Sequence, residues 1–303
     1  MPTQRPDVTV VVPMRNNAAT IGEQLEALSS QQYEGFWEVV VVDNGSTDGS
    51  LETAARYASR FQDFRVVDAS EIRGVSHARN AGAAAGRGEV ILFTDADDVV
   101  GEGWIAALVA GLERADLAGG PLDESSLNPE YAREWGDPPI PTDRFNVVAG
   151  YLPNARGNNV GIRRSVFDAI GGWNEEYRFA EDVELCWRAA NAGYRLVFVP
   201  EAVVLYRRRH TVLGLARQQF VRGRQTHRIQ LAQAFGHLGF RPASDTSQQR
   251  QSLGWIIRNA PAAVFDRSKR GSVIAKLSYG LGWAVGAPRR REVRRKLHRG
   301  DEG

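Results

Sequence analysis

Two aspartates stand two residues apart where an apolar run stops, in Val90-Ile91-Leu92-Phe93-Thr94-Asp95-Ala96-Asp97-Asp98. Such a run reads as a buried strand that delivers acids to a sheet edge. Carboxylates at this spacing can turn to one side of the chain and share a divalent cation. A cation held by one or two carboxylates keeps positions for water and substrate phosphates, so the pattern points to a phosphate-bearing ligand. Acids also favour loops, and Asp-x-Asp arises by chance. Asp43 closes a second run, Glu38-Val39-Val40-Val41-Val42-Asp43. It could accept a hydrogen bond from a base or ribose, or only shape the turn that follows. A third acid site, Glu181-Asp182, opens a helical pattern and is approached by the glycine-rich, aromatic stretch Gly171 to Tyr177. Acids in a first helical turn also complement the helix dipole, so this pair has a plain structural reading as well.

The elements that must position these acids alternate. Val8 to Val12 reads as a strand covered on both faces and ended by Pro13. Thr20 and Glu23 have capping-box spacing ahead of a helix running to about Ser30. Glu38–Asp43 is the second strand, and Leu51, Ala54, Ala55 and Ala58 mark a second helical face. Arg65–Asp68 is a third strand, and a small-residue helix suited to close packing follows Gly74. The acid-ended run is the fourth strand; a helix from Trp104 to Leu112 and a strand within Leu117–Leu122 come next. This rhythm predicts an α/β fold with a mostly parallel, helix-covered sheet, whose ligands bind beyond the carboxyl ends of the strands. From Asp123 to Tyr151 the pattern gives way to a long excursion. Order returns near Asn158–Ile162, then in a short helix from Ser165 to the Gly171-Gly172 stop, a helix after Glu181, and two strands, Leu196–Val199 and Val203–Tyr206.

The chain has 303 residues, 43% of them hydrophobic, which suffices for a substantial core in one or two domains. Its single cysteine, Cys186, forms no internal bridge and no cysteine metal cluster, which suits a reducing cytoplasmic setting. No leader pattern precedes Val8, and no apolar run approaches the roughly 20 residues of a membrane span. Net charge is only +2, but arginines crowd the last third. There, the apolar, glycine-rich residues 272–288 abut Arg289-Arg290-Arg291-Glu292-Val293-Arg294-Arg295-Lys296. That combination suits either peripheral contact with an anionic membrane, on its inner face, or a solvated tail. No recognisable nucleic-acid module accompanies the arginines, and no nucleic acid is expected as a partner.

Taken together and in order, Val8–Pro13 with Asn16, Val41–Gly49, Gly74–Asn80, Asp95-Ala96-Asp97-Asp98 and Ala180–Leu185 resemble the family 2 glycosyltransferases of GT-A fold, over about residues 7–225. The resemblance implies a catalytic domain over residues 1–230 and a helical, basic C-terminal extension over 231–303. It implies that Asp43 reads the nucleotide base above a loop containing Pro13 and Arg15, and that Arg79 lies near the nucleotide. Asp95 and Asp97 correspond to the ribose and metal aspartates; Gly74 and Asn158 join the nucleotide-sugar set. Asp182 resembles the catalytic base, with Glu181 orienting the site. His210 matches a position where such enzymes often keep a histidine near the metal, though it equally suits a surface beside Arg207–Arg209. Gln219-Phe220-Val221-Arg222-Gly223 resembles the Gln-x-x-Arg-Trp signature of processive members but has glycine in place of tryptophan, which argues against a polymerase.

The activity implied is inverting, metal-dependent transfer (Mn2+ or Mg2+) from a nucleotide-diphosphate sugar, UDP-linked before GDP or dTDP, to a hydroxyl. The acceptor would be a glycan, a lipid-linked or a small molecule, in glycan, glycolipid or cell-envelope biosynthesis. Two alternatives stand beside it. One is a non-catalytic nucleotide- or glycan-binding protein, against which the full set of acids argues. The other is a nucleotidyltransferase, against which the glycine-free loop Val12–Asn17 argues.

Overall fold

A computed structural model describes residues 6–133, 135, 140–148, 151–234 and 254–286. The strands are β1 Val8–Met14, β2 Trp37–Asp43, β3 Phe64–Asp68, β4 Val90–Phe93, β5 Val99–Val100, β6 Leu117–Gly119, β7 Leu122–Asp123, β8 Asn146–Val147, β9 Pro153–Asn154, β10 Val160–Arg163, β11 Leu196–Phe198 and β12 Val204–Leu205. The helices are α1 Ile21–Ser29, α2 Ser50–Ala55, α3 Val75–Ala85, α4 Trp104–Arg114, α5 Glu130–Arg133, α6 Arg164–Ala169, α7 Glu181–Asn191, α8 Val212–Ala234, α9 at residues 254–259 and α10 Arg267–Gly286. They fall into two compact units: residues 1–129 with 139–208, and residues 130–138 with 209–303.

The first unit is built on a seven-stranded sheet in the order β11-β6-β10-β4-β1-β2-β3. β1 pairs in parallel with β2 and β4, β2 with β3, and β11 with β6; β10 alone runs antiparallel to both neighbours. The mostly parallel α/β sheet of the GT-A fold is therefore present. Its valine runs explain the two layers. Val10, Val12, Val39 and Val41 join Leu25, Leu28, Trp104 and Leu108 in one core, while Val11, Val40 and Val42 join Ala78, Phe167 and Leu185 in the other. Each such side chain removed from water contributes about 1.5–3 kcal/mol, so β1 and β2 are committed to the centre by composition. α3 lies so close to the sheet that a Cβ on Gly82 would stand 2.4 Å from Val11 Cγ1, which is what its small residues permit. After β1 the chain moves outward to β2 and β3, then returns to the other side of β1 as β4. That reversal opens the crevice in which sheets of this kind bind ligands.

Several local expectations are corrected. Pro13 does not end β1, which continues to Met14. Val11 accepts from the Thr94 amide and Met14 from the Asn44 amide, so alternation aims the Pro13 nitrogen toward β4, whose last paired residue is Phe93. No donor is missed there. Thr20 makes no side-chain cap; its hydroxyl donates to the Asn17 carbonyl, and Glu23 instead pairs with Arg207 at 2.5 Å. Leu51 is 40% exposed, because α2 ends at Ala55. The Leu117–Leu122 strand is two short strands in different sheets, β6 in the large one and β7 at the edge of a three-stranded one, beside β12. The excursion after Asp123 contains α5, which belongs to the second unit, and β8, which pairs with β9.

In the second unit α8 and α10 pack backbone to backbone: a Cβ on Gly223 would meet the Tyr279 carbonyl oxygen at 2.1 Å, and one on Gly282 that of Phe220 at 2.0 Å. Trp135 caps the start of α10, donating to the Arg267 carbonyl at 3.2 Å and covering Gly271, and Arg267 lies 3.8 Å from the Tyr131 ring centre. Among the described residues no helix is long and apolar enough to cross a membrane. The basic cluster at 289–296 and the polar segment from Pro242 to Gln251 lie outside them.

Candidate active site

The acids that end β4 converge. Asp95, Asp97 and Asp98 each bring a carboxylate oxygen within 4.8 Å of the others. Their loop is braced from α1: the Gln24 amide donates to the Thr94 hydroxyl at 2.8 Å and to the Asp95 carbonyl at 3.2 Å, and its oxygen accepts from the Val100 amide at 3.0 Å. Gln24 is fully buried in the apolar face formed by Ile21, Leu25 and Leu28. A polar residue on an otherwise apolar helix face is the sequence signal for such a brace. Arg207, just after β12, adds a second brace, its backbone amide donating to Asp98 Oδ1 at 2.8 Å and its Nε to the Asp97 carbonyl at 2.9 Å.

Asp98 is buried, and burial, with Asp97 and Asp95 beside it, raises its pKa well above the ordinary carboxylate range. Three hard oxygen donors in one place suit a magnesium- or manganese-like cation. Both Asp98 oxygens already accept hydrogen bonds, from Arg207 and from Asn158 Nδ2 at 2.5 Å, and Asp95 Oδ1 accepts from Arg79. The second oxygen of Asp95 is not among these acceptors and faces the same cluster. His210 belongs to the second unit, outside this cluster of three.

Arg79 organises the middle of the site. It is 2% exposed, and its guanidinium donates to Asp95 Oδ1 at 2.9 Å and to Glu181 Oε1 at 3.0 Å. It lies 4.6 Å from the Trp173 ring centre, and Trp173 packs edge-on to Phe93 of β4. Burial alone would lower the Arg79 pKa, but Asp95 and Glu181 raise it. Glu181 is pushed up by its own burial, against Arg79, with Asp182 adding to the rise. Beside it, Asp182 Oδ2 accepts from the Gly157 amide at 3.2 Å.

Arg156 to Asn159 form a tight turn, closed by the Asn159 amide on the Arg156 carbonyl at 2.8 Å. A Cβ on Gly157 would stand 2.7 Å from an Arg79 nitrogen, so a larger residue there would displace the guanidinium from its place under the turn. Asn158 grips Asp98. Asn159 points into the core: it accepts from the Trp104 indole at 2.8 Å and donates to the Pro121 and Ala202 carbonyls at 3.0 and 2.8 Å. Arg79, Asp95, Arg156, Gly157, Asn158, Glu181 and Asp182 line a cleft of about 160 Å³ with an apolar side of Leu122, Ile140 and Tyr206.

The other expected residues stand at the ends of β1 and β2. Asp43 is buried, its two oxygens accepting from the Ser46 amide at 3.1 and 3.2 Å, so it shapes the turn whatever else it binds. Asn16, at a φ of 55°, accepts from the Thr47 amide and joins the two loops. Pro13 is buried in β1 and Arg15 is exposed on the loop after it. Gly74 precedes α3 and donates to Asn44 Oδ1 at 2.9 Å, while the Asn44 amide holds the Ala69 and Ile72 carbonyls. None of Pro13, Arg15, Asp43 and Gly74 lines the cleft of Asp95 and Asp182. His77 bonds Glu71 at 2.7 Å and Glu175 at 2.9 Å; burial works against its protonated form, but the two carboxylates raise its pKa. Cys186 is buried in α7, and burial holds its thiol at a pKa of about 12, which leaves it unreactive.

The chain matches the model of "Glycosyl transferase family 2" over residues 9–171, which includes the β1, β2 and β4 ends and the turn over Arg79. It is 32% identical over 225 residues to the glycosyltransferase GlyG of Streptococcus pneumoniae, covering 67% of this chain and 71% of that one. To the glycosyltransferase AglE of Haloferax volcanii it is 29% identical over 206 residues, 67% of each. It spans about half the length of other curated relatives, 56% and 46% of two of them. Its fold matches a mannosyltransferase of Pyrobaculum calidifontis, solved with GDP-Man and Mn2+, with a TM-score of 0.61 and 21% identity, over 94% of this chain and 88% of that one. With the acids of the family's motifs gathered at the carboxyl edge of a GT-A sheet, the chain belongs to glycosyl transferase family 2.

Proposed function

We propose that this glycosyltransferase moves a sugar, with inversion, from a nucleoside-diphosphate donor to a hydroxyl acceptor in glycan, glycolipid or cell-envelope synthesis at the cytoplasmic side. UDP is the first expectation for the nucleotide. The observation that carries this reading is that Asp95, next to the cation-competent acids, and Asp182 line the same cleft and are linked through Arg79, Glu181 and Gly157. Asp182 would take the proton from the acceptor hydroxyl, while Glu181 and Arg79 hold the base and Asp95 at a fixed separation. Single displacement by a base-activated hydroxyl inverts the anomeric centre. Asp43, with Pro13, Arg15 and Gly74, would receive the nucleoside, and Asn158 would set Asp98. A divalent cation held by Asp97 and Asp95, with His210 as a further candidate ligand, would supply Lewis-acid stabilisation of the departing diphosphate.

The test is a thermal-shift screen of nucleotides and nucleotide sugars, with Mn2+ or with chelator, on the wild-type protein and on Asp97→Asn. One nucleoside diphosphate should raise the wild-type melting temperature more with Mn2+ than with chelator, by up to about 2.7 kcal/mol of added stability at a hundredfold excess over Kd. Asp97→Asn should melt normally when unliganded and lose the Mn2+-dependent part. A Mn2+-dependent increment as large in Asp97→Asn as in wild type would remove the metal assignment.

A second proposal concerns membrane contact. Leu277, Leu281 and Val285 recur at four-residue spacing on α10 and are 45–64% exposed, and Phe265 is 92% exposed. Arg289–Lys296 follow in sequence. Apolar side chains beside a basic cluster suit an anionic bilayer surface, at about 1 kcal/mol per basic residue. Flotation with anionic vesicles should recover the full chain, and a chain ending at residue 288 should be recovered less. Equal recovery refutes the contact.

A further inference from the structure

The turn over Arg79 holds one residue whose side chain serves nothing around it. Gly157 gives its amide to Asp182 and its bare Cα to Arg79, Asn158 grips Asp98, and Asn159 ties three segments of the core together. Arg156 contributes its carbonyl to closing the turn. Its side chain lines the cleft, half-buried, with its Nε buried and without a hydrogen-bond partner. Among the described residues no carboxylate pairs with its guanidinium, although the same cleft is lined by Asp95, Glu181 and Asp182. Arg79, the other guanidinium of the cleft, is occupied by Asp95 and Glu181.

Leaving a guanidinium N–H buried and unpaired costs free energy, and a ligand anion recovers it. The planar fork of arginine matches phosphate and carboxylate. Position selects which anion. Arg156 immediately precedes the amide that holds Asp182, the acid assigned to the acceptor hydroxyl. The charge of the donor diphosphate would be met on the other side, by the cation that Asp95 and Asp97 would hold.

We propose that Arg156 binds an anionic group of the acceptor, a phosphate or carboxylate close to the hydroxyl that attacks, so that the acceptor class is a hydroxylated anion. This rests on the glycosyltransferase reading above. Arg156 is a binding and positioning residue on this account, and the proton goes to Asp182 as before.

The experiment uses the full chain with Mn2+ and a saturating nucleoside diphosphate, UDP or GDP, whichever stabilises it. Glycerol 1-phosphate, glycerate and glycerol serve as anionic and neutral hydroxyl probes in calorimetric titrations. The wild-type protein should bind at least one anionic probe about tenfold or more tightly than glycerol, and Arg156→Gln should lose that preference. Arg156→Lys should restore part of it. Both variants should keep the nucleoside diphosphate Kd within about twofold of wild type. Equal binding of the anionic probes to wild type and Arg156→Gln overturns the proposal, as does nucleotide binding without any preference for an anionic probe. A loss confined to nucleoside diphosphate binding in Arg156→Gln also overturns it, since the anion is then the donor's. Failure of wild type to bind any nucleoside diphosphate refutes the glycosyltransferase reading itself.

Discussion

Buried acids occupy both ends of the central sheet, and their surroundings push them in opposite directions. At the end where the parallel strands begin, Glu38 is fully buried, accepts from the Thr9 hydroxyl at 2.7 Å and the Arg87 amide, and pairs with Arg65 and Arg87. Burial alone would raise its pKa; those partners outweigh it and bring it below the ordinary value. At the end where they finish, Asp95, Asp97 and Asp98 face one another, Asp182 follows Glu181, and Arg79 is the cation shared by Asp95 and Glu181. There, burial and like charge raise Asp98 and Glu181. One end is neutralised internally and needs nothing more. The other carries an excess of negative charge in a cleft, which is how a fold keeps groups ready for a cation or a proton.

Removing the acid assigned to proton transfer should separate the two ends most sharply. Asp182→Asn should lower transfer by about 100- to 10,000-fold with nucleotide binding retained, measured as sugar incorporation beside nucleoside diphosphate affinity. Transfer at the wild-type rate would require another base. Next, Arg79→Met should cost about 3–5 kcal/mol in denaturant unfolding, because Asp95 and Glu181 lose their common partner in a buried place. If stability were instead unchanged, the acids of the cleft would not depend on that guanidinium. The smallest effect belongs to the other end. Glu38→Gln should cost about 1–3 kcal/mol near neutral pH and leave transfer intact. Its sign follows from the lowered pKa: ionised Glu38 stabilises the fold above its unfolded pKa of about 4.3, and that contribution is lost as pH falls through the folded value. The stability gap between wild type and Glu38→Gln should therefore narrow on acidification, as urea titrations at several pH values would show. A gap that stays constant down to acid pH would contradict it.

Much of the fold was legible because its strands announce themselves. Val8–Val12, Val39–Val42 and Val90–Phe93 are β-branched or apolar throughout, as strands covered on both faces must be, and each delivers polar residues at its carboxyl end. Short elements were not. Val160–Arg163 carries no mark of running antiparallel between β4 and β6, because direction is set by the connections and not by composition. Thr20 and Glu23 have the spacing of a cap, but Thr20 bonds the Asn17 carbonyl just before it and Glu23 pairs with the distant Arg207. The same limit applies to the site. The acids could be found as motifs, whereas Gln24 and Arg207 owe their places to contacts across long stretches of chain. Arg207 reaches residues more than a hundred positions away in Asp97 and Asp98. No local pattern encodes such a partner.

The turn at residues 156–159 has a consequence for how acceptor preference could change over time. Three of its four positions already carry structural duties: a close approach to Arg79 at Gly157, an amide against Asp98 at Asn158, and a three-way amide junction at Asn159. Variation that leaves the cleft intact is channelled into the remaining position. A lineage exploring new acceptors could do so by single substitutions at residue 156, while the residues assigned to chemistry stay as they are.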